Sequence, residues 1–224
     1  DGINYNVISD SSVEVTSGSY TGDIIIPYSV NNLGKEYTVT SIGNYAFDGC
    51  SSLTSITIPD GVTSIGGSAF YDCSSLTSIT LPNGITSIGS NAFRDCSSLT
   101  SITLPDGVTS IGENAFNGCT GLTSIVMLAI TPPTLGGEIG SVISGSEKIF
   151  VPAISTHAYM IATNWASNKD QMVGQEAFLS GDTLPDYSGA TYTTCTWYSD
   201  EACTTPVSGG TAPADGTYYC KLTA

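Results

Sequence analysis

The fold is decided by residues 62–84, VTSIGGSAFYDCSSLTSITLPNG, and by the unit that follows directly at residues 85–107, ITSIGSNAFRDCSSLTSITLPDG. The same unit occurs before them at residues 39–61 and, shortened, after them at residues 108–127. Near-copies at a constant period of 23 residues predict a solenoid, in which each repeat packs only against its neighbours. One unit alone cannot fold, because its few buried side chains do not offset the entropy lost on ordering its backbone.

Each unit contains a strand and a return segment. The strand, LTSITIP in the first copy, has the L-x-x-L-x-L spacing of a leucine-rich repeat. We expect Leu53, Ile56 and Ile58 to face inward, whereas Thr57 alternates outward. In the return segment the close spacing of Ala, Phe and Cys predicts a short helical turn rather than a strand. The core positions predicted there are Val62, Ile65, Ala69, Phe70 and Cys73.

The strand motif is isoleucine, any residue, a second aliphatic residue and proline. Its recurrence predicts a right-handed leucine-rich-repeat coil with about six parallel strands. Residues 125–127 continue the pattern without the proline, and wider spacing before the second strand indicates an insertion at residues 31–36. The motif itself occurs at residues 24–27, 56–59, 79–82, 102–105 and 149–152.

Both ends of a solenoid need covering, because they expose unpaired strand edges. An alternating stretch at residues 5–15 predicts a hairpin that caps the first edge. At the other end, Ser155 is a candidate N-cap for a closing helix. The apolar face of that helix would carry Ala158, Ile161, Ala162 and Trp165. The predicted domains are an N-terminal β cap with an irregular first coil (1–38), the repeats with their capping helix (39–173) and a small β-domain (174–224).

The charge of the chain narrows the range of functions. Charged residues make up 11 % of it, against about 25 % ordinarily, and the net charge is −15. A chain with this net negative charge repels phosphate backbones and anionic lipids, so we expect neither nucleic acid nor a membrane surface as partner. No apolar run reaches the roughly 20 residues that span a bilayer. The chain opens with Asp1 and Gly2 and no basic or apolar leader, which we interpret as a processed or trimmed N-terminus.

Four cysteines recur at 23-residue intervals, one in each unit. We predict a column of small buried side chains, since free cysteine is among the most buried residues. A metal site needs ligands that converge on one point, whereas stacked coils set the sulfurs in a line. Equivalent side chains point in parallel, so disulfides between coils are not expected. The column is Cys50, Cys73, Cys96 and Cys119.

The sequence contains no recognisable catalytic motif, and we expect no enzymatic activity, cofactor or metal. His157 is the only histidine and falls in the first turn of the predicted capping helix, where we expect a surface or interface role. Asp72 and Asp95 occupy equivalent positions in successive repeats, and like charges one coil apart do not make an acid–base pair. A calcium site along such an edge is the alternative.

The outward side of the sheet is the candidate binding face, because solenoids commonly bind along an extended surface. Its hydroxyl side chains lack the aromatic and arginine anchors of tight interfaces, so binding there would be weak or polydentate. The alternative is that these residues only favour strands and tolerate solvent. The face column is Ile25, Thr57, Thr80, Thr103, Val126 and Phe150, and the adjacent column is Asp23, Ser55, Ser78, Ser101, Ser124 and Lys148.

The core I-G-x-x-A-F-x-x-C-x-x-L-x-x-I-x-I/L-P closely resembles the BspA-like leucine-rich repeat of bacterial surface proteins, and the resemblance covers residues 2–173. The lead-in at residues 20–27 and the closing residues 149–152 are similar to the caps of that family. The resemblance implies export, display on the surface of host-associated bacteria, and adhesion to host matrix or plasma proteins.

After the repeats, short alternating strands follow that are rich in threonine and aromatic residues. Residues 197–200 and 217–219 are similar to the second half of the internalin B-repeat, a small β-module. A domain of this size has a marginal core, which a disulfide would support. Cys195 and Cys220 are the first candidates for a bridge, and the alternatives are a bridge to Cys203 or none.

These observations leave three hypotheses for the function. The first is a secreted or surface-displayed adhesion module that binds host or neighbouring-cell proteins through the repeat sheet. The second is a structural spacer that displays another domain and binds nothing itself. The third is a carbohydrate-binding module in which Trp197 and Tyr198 form an aromatic platform.

Overall fold

A computed structural model describes residues 2–137, 139, 148–152, 155–165, 167, 172–178, 194–198, 206–207 and 216–223. Their architecture is a parallel β-solenoid, as the repeat predicts. The strands and the helix of this part of the chain are β1 (Tyr5–Val7), β2 (Ser12–Val15), β3 (Gly22–Ile25), β4 (Ser29–Asn32), β5 (Lys35–Ile42), β6 (Leu53–Thr57), β7 (Ser64–Ile65), β8 (Ser78–Thr80), β9 (Ser87–Ile88), β10 (Ser101–Leu104), β11 (Ser110–Ile111), β12 (Ser124–Met127), β13 (Thr134–Leu135), β14 (Lys148–Pro152), α1 (Thr156–Ile161), β15 (Met172–Phe178), β16 (Thr194–Tyr198), β17 (Pro206–Val207) and β18 (Gly216–Thr223).

The six predicted parallel strands are confirmed as β3, β6, β8, β10, β12 and β14, which together form the main side of the coil. Neighbouring strands pair in the register that the repeat requires, with Thr57 opposite Thr80 and Thr103 opposite Val126. The ladder divides between β8 and β10. There the Thr100 N–H donates to the Thr77 carbonyl over 3.4 Å.

A second parallel sheet, which the sequence analysis did not anticipate, follows the V-T-S-I segments. It runs through β2, β5, β7, β9, β11 and β13. Ser41 pairs with Ser64 and Ser64 with Ser87, one coil after another. From β7 onward each strand has only two residues, too few to show the alternation by which a strand is recognised in a sequence.

The return segments form hydrogen-bonded turns rather than strands, as expected, but these turns do not make a continuous helix. In the first repeat the Ala46 N–H donates to the Gly43 carbonyl of its own coil, at 3.3 Å. The next N–H, of Phe47, donates instead to the Ala69 carbonyl of the following coil, at 2.7 Å. Residues with left-handed backbone conformation precede each Ala and each Cys, and they prevent a continuous helix. Alternate N–H groups of each turn donate hydrogen bonds to carbonyls of the next coil. The left-handed residues are Tyr45, Ser68, Asn91 and Asn114 before Ala, and Gly49, Asp72, Asp95 and Gly118 before Cys.

The core consists of identical side chains stacked from coil to coil. The predicted inward positions are buried, among them Leu53, Ile56 and Ile58 in the first repeat. The aromatic column continues at its N-terminal end with Tyr20, whose ring lies 4.8 Å from that of Phe47. Within the column the rings are 5.0–5.5 Å apart and within 4° of parallel. The stacked rings are those of Phe47, Phe70, Phe93 and Phe116.

The predicted N-terminal hairpin is present as β1 and β2, and it covers the first edge of the second sheet. β2 pairs with β5, with Val13 opposite Val39, so the hairpin caps the second sheet and not β3. The predicted insertion forms a second hairpin, β4–β5, whose turn contains Leu33 and Gly34. Both turn residues have positive φ, as a tight two-residue hairpin turn requires.

The predicted capping helix is α1, and it seals the last coil with aromatic side chains. Trp165 is fully buried and donates from Nε1 to the Pro133 carbonyl at 2.7 Å, and the ring of Tyr159 meets its ring edge-on at 5.0 Å. Ile161 was expected on the apolar face but is 65 % exposed, because Tyr159 occupies the buried side. Ser155 is at the N-cap position, yet its hydroxyl makes no capping hydrogen bond.

Beyond the helix, β15 extends the main sheet. It pairs in parallel with β14, with Phe150 opposite Val173, and its other edge pairs antiparallel with β18. β16 and β17 continue the sheet beyond β18. β15 therefore runs across the predicted boundary between residues 173 and 174, and the division into domains stays a prediction.

Candidate interaction surfaces

The face column of the main sheet is a row of solvent-exposed threonines. Thr57, Thr80 and Thr103 are exposed, and Val126 is half-buried. Strand alternation explains this, because the isoleucine before each threonine and the isoleucine or leucine after it point into the core. The adjacent column is also accessible, with Ser78 and Ser101 exposed and Ser55 and Ser124 half-buried.

Phe150 does not belong to the exposed face. It occupies the expected register, since it pairs with Val126, but it is only 2 % exposed. Its other strand neighbour is Val173 in β15, a strand that the sequence analysis did not place in this sheet. The predicted column is therefore an exposed row as far as Val126 and is buried beyond it.

A shallow groove brings four of the predicted face residues together. It has a volume of about 410 Å³ and lies where the ladder divides between β8 and β10. Ser78 and Thr80 line it on one strand, and Ser101 and Thr103 line it on the other. Leu128, where other repeats carry proline, adds an apolar side chain to the lining.

The N-terminal end of the face carries a negative charge on Asp23. Its Oδ1 accepts hydrogen bonds from the hydroxyls of Ser55, at 2.6 Å, and Thr54, at 2.8 Å. These two bonds favour the ionised form, so they lower the pKa of the Asp23 carboxyl below its ordinary value. The carboxylate thereby orients two hydroxyls of the adjacent strand.

The cysteine column is buried, as predicted, and the thiols have partners that the sequence did not reveal. Cys73 Sγ donates to the Phe47 carbonyl at 3.1 Å, and Cys96 Sγ donates to the Phe70 carbonyl at 3.1 Å. Contact with the Cys119 and Cys73 thiols, followed by burial, raises the pKa of Cys96. A thiol that is buried and protonated is a poor nucleophile, so the role of the cysteine column is to pack in the core.

The remaining predicted groups are only partly described. His157 lies within α1, and its side chain is outside the described residues. Cys195 and Cys220 lie on the neighbouring strands β16 and β18, opposite Leu222 and Trp197 respectively. Their bridge stays a prediction. Within the described part of the chain, no group of three or more His, Cys, Asp or Glu side chains is arranged to hold a metal ion.

The turn side of the coils carries a pair of residues that the sequence analysis did not single out. Arg94, the only arginine of the chain, lies with its guanidinium 5.8 Å from the ring centre of Tyr71. Its Nε is 3.5 Å from the Asp95 carboxylate, a charge contact without hydrogen-bond geometry. Position 94 differs between otherwise near-identical repeats, whereas the exposed serines and threonines of the sheet recur. This variation at position 94 was the sequence signal that could have identified the pair.

The geometry defines the class of protein as a leucine-rich-repeat solenoid. The family model for the BspA type leucine-rich repeat region matches residues 22–132 in six copies. A leucine-rich repeat protein from Bacteroides capillosus is 32 % identical, with a TM-score of 0.51. The match covers 56 % of this chain and 94 % of that one. The chain therefore belongs to the BspA type leucine-rich repeat family.

Two other crystal structures are similar. A leucine-rich cell surface protein from Faecalibacterium prausnitzii is 30 % identical with a TM-score of 0.56, over 69 % of this chain and 42 % of that one. The chain thus spans less than half of that relative. A leucine-rich repeat protein from T. pallidum, 23 % identical with a TM-score of 0.50 over 67 % of this chain and 78 % of that one, shows the shared fold alone. No curated protein matches the chain.

These relationships settle the general character of the repeats. Leucine-rich-repeat regions are in general binding modules rather than enzymes, and they bind along their stacked faces. Within the described residues, no helix has both the length and the apolar character needed to cross a bilayer.

Proposed function

We propose that this protein is a secreted or surface-displayed adhesion module that binds other proteins through the outward face of its main sheet. The observation that carries the proposal is the exposed register of Thr57, Thr80 and Thr103 beside the groove between β8 and β10. Equivalent hydroxyls at strand spacing, about 4.8 Å, give a partner several identical donors and acceptors in a row.

The chemistry of this face favours weak individual contacts. In the described part of the face, aromatic and arginine side chains, which dominate tight interfaces, do not accompany the exposed threonines. Adhesion would then depend on many copies acting together, because linked weak sites gain affinity by effective concentration. Display of many molecules on one cell supplies that multiplicity.

Membership of the family and the character of a relative support the location and the class of partner. The Faecalibacterium relative is described as a cell surface protein. By analogy the partner class is extracellular protein of a host or of a neighbouring cell. The chain lacks the positive charge that binding to nucleic acid would need, and neither catalysis nor a cofactor forms part of the proposal.

A triple substitution tests the proposed face. Thr57→Lys, Thr80→Lys and Thr103→Lys together place three long charged side chains across the exposed row. We expect at least about a tenfold loss of binding to immobilised matrix and plasma proteins, measured at two salt concentrations. The matched control carries lysine at Thr63, Thr86 and Thr109, which are exposed at the same spacing directly before β7, β9 and β11.

The outcomes separate this proposal from its alternatives. Binding by the native chain that survives the sheet substitutions, with the fold confirmed by circular dichroism, would reject the face. A native chain that binds no protein would favour a structural spacer. Glycan binding that depends on Trp197, whose side chain is outside the described residues, would favour a carbohydrate-binding C-terminal module.

A further inference from the structure

A pocket at the N-terminal end of the solenoid differs in composition from the rest of the surface. It has a volume of about 660 Å³ and lies between the hairpins β1–β2 and β4–β5. Both hairpins are anchored on β5, where Val39 pairs with Val13 and Tyr37 pairs with Val30. The volume falls within the range of small-molecule sites, roughly 300–1,000 Å³.

The lining of this pocket contains no charged side chain, although the chain has a net charge of −15. Buried Ile3 and Val13 give it an apolar base, and half-buried Tyr5 and Tyr37 add aromatic rings. Charged groups lie only next to the lining, where Glu36 accepts a hydrogen bond from Ser29 at 2.6 Å and the Lys35 ammonium lies 5.0 Å from the centre of the Tyr37 ring. Glu36 is paired with Ser29 and Lys35 with Asp10, so the lining itself favours an uncharged ligand.

Side-chain amides give the same pocket hydrogen-bonding capacity. Asn31 Oδ1 accepts the Gly34 N–H at 3.0 Å, which leaves the amide nitrogen as a donor. The exposed amide of Asn32 makes no hydrogen bond to the described residues. Asn4 Nδ2 donates to the Ser17 carbonyl at 2.9 Å, which leaves its Oδ1 as an acceptor. Such donors and acceptors match hydroxyl groups, and an alkyl ligand would desolvate them without compensation.

One of the two aromatic rings has a cation beside it. The Lys35 ammonium lies 5.0 Å from the centre of the Tyr37 ring, and it lies 3.9 Å from the Asp10 carboxylate. Burial, followed by the nearby Tyr20, raises the pKa of Tyr5 to about 12.

We propose that this pocket binds a neutral saccharide. A sugar ring has apolar C–H faces that pack against tyrosine and hydroxyls that pair with amides, and it carries no charge. Tyr37 would supply the stacking face, and Asn31 and Asn32 would supply hydrogen bonds. The pocket is separate from the threonine face, so a negative result for saccharide binding would not contradict the proposed adhesion function.

Ligand-observed NMR on the full chain provides the test, with lactose, cellobiose, N-acetylglucosamine and mannose as probes and calorimetry for any that binds. We expect at least one probe to bind, and Tyr37→Ala and Asn32→Ala each to weaken its affinity by about tenfold. Tyr28→Ala is the matched control, because Tyr28 is 60 % exposed at the same end and does not line the pocket.

Three results would overturn the proposal. The first is that none of the four probes binds. The second is binding that survives both pocket substitutions, and the third is binding that Tyr28→Ala weakens as much as they do. Asn32 is exposed on a hairpin, so Asn32→Ala keeps the test decisive even if Tyr37→Ala unfolds the cap.

Discussion

At the scale of the residue, the tightest constraint is the glycine that follows each isoleucine of the second sheet. A Cβ on Gly66 would lie 2.6 Å from the backbone carbon of Gly43 and 2.6 Å from the nitrogen of Asn44 in the preceding coil. The neighbouring Gly67 is different, since its nearest contact would be 3.4 Å from the Asn44 side chain. Other repeats carry Asn, Ser or Glu at the position of Gly67.

We therefore expect Gly66→Ala to lower the free energy of unfolding by about 2–3 kcal/mol, because two backbones must separate to admit one methyl group. Gly67→Ala is the adjacent control, and its change is expected to stay within about 0.5 kcal/mol. Urea unfolding followed by circular dichroism measures both variants. Equal effects of the two substitutions would contradict close coil packing at Gly66.

The hydrogen bonds to Asp23 predict a pH dependence of stability. The folded pKa of this carboxyl is lowered, chiefly by Ser55 and then by Thr54. The stabilisation is therefore present above the ordinary aspartate pKa of about 3.9 and is lost as pH falls through the lower folded value. We expect Asp23→Asn to have a lower unfolding midpoint than the native chain at pH 7, and the difference to shrink below about pH 4. A difference in unfolding midpoint that stays constant down to pH 2.5 would show that the ionised Asp23 carboxyl does not stabilise the fold.

At the scale of the element, α1 and the turn after it stabilise the solenoid by closing its last coil. Trp165 contributes a fully buried ring and an Nε1–H that satisfies the Pro133 carbonyl. Loss of that ring leaves both a cavity and an unpaired carbonyl at the end of the core. The open end of a solenoid frays first, because its last coil has a neighbour on one side only.

We expect Trp165→Ala to cost about 3–5 kcal/mol and to raise hydrogen exchange most strongly around β13, which directly follows the Pro133 carbonyl. Ile161→Ala at the end of α1 is the control, since Ile161 is 65 % exposed and its loss is expected to cost less than about 0.5 kcal/mol. Hydrogen-exchange mass spectrometry locates the effect. A uniform rise in exchange over all coils would show that the cap does not act locally.

At the scale of the whole molecule, each coil meets only the next one, so whole coils are interchangeable parts. Removing residues 85–107 brings Phe70 against Phe116 and Cys73 against Cys119, and it restores every column in register. We expect this deletion to give a folded protein with a lower unfolding free energy. Thermal unfolding by circular dichroism measures the difference.

The control for the coil deletion removes residues 85–96, about half a coil. That change places a strand where a return segment belongs, so the inward positions of neighbouring coils no longer coincide. We expect this second variant to be unfolded. A folded half-coil deletion, or an unfolded whole-coil deletion, would show that the columns do not govern stability.

The sequence alone determined the solenoid, its six main strands and its buried columns, because a period of 23 residues forces equivalent side chains into line. It also located both caps, since an alternating stretch and a helical apolar face are local signals. The second sheet and the alternating hydrogen bonds of the turns depended on tertiary structure. Two-residue strands and left-handed residues leave no periodic signal, because neighbouring coils stabilise them.

Among the surface residues, too, some positions followed from the sequence and others depended on tertiary structure. Exposure of Thr57, Thr80 and Thr103 followed from strand alternation, a property of the chain itself. Burial of Phe150 and exposure of Ile161 did not, because both depend on which other segment arrives beside them. The pocket between the N-terminal hairpins was likewise invisible in the sequence. Its lining joins residues from two separate hairpins, and only their common pairing with β5 brings those residues to one place.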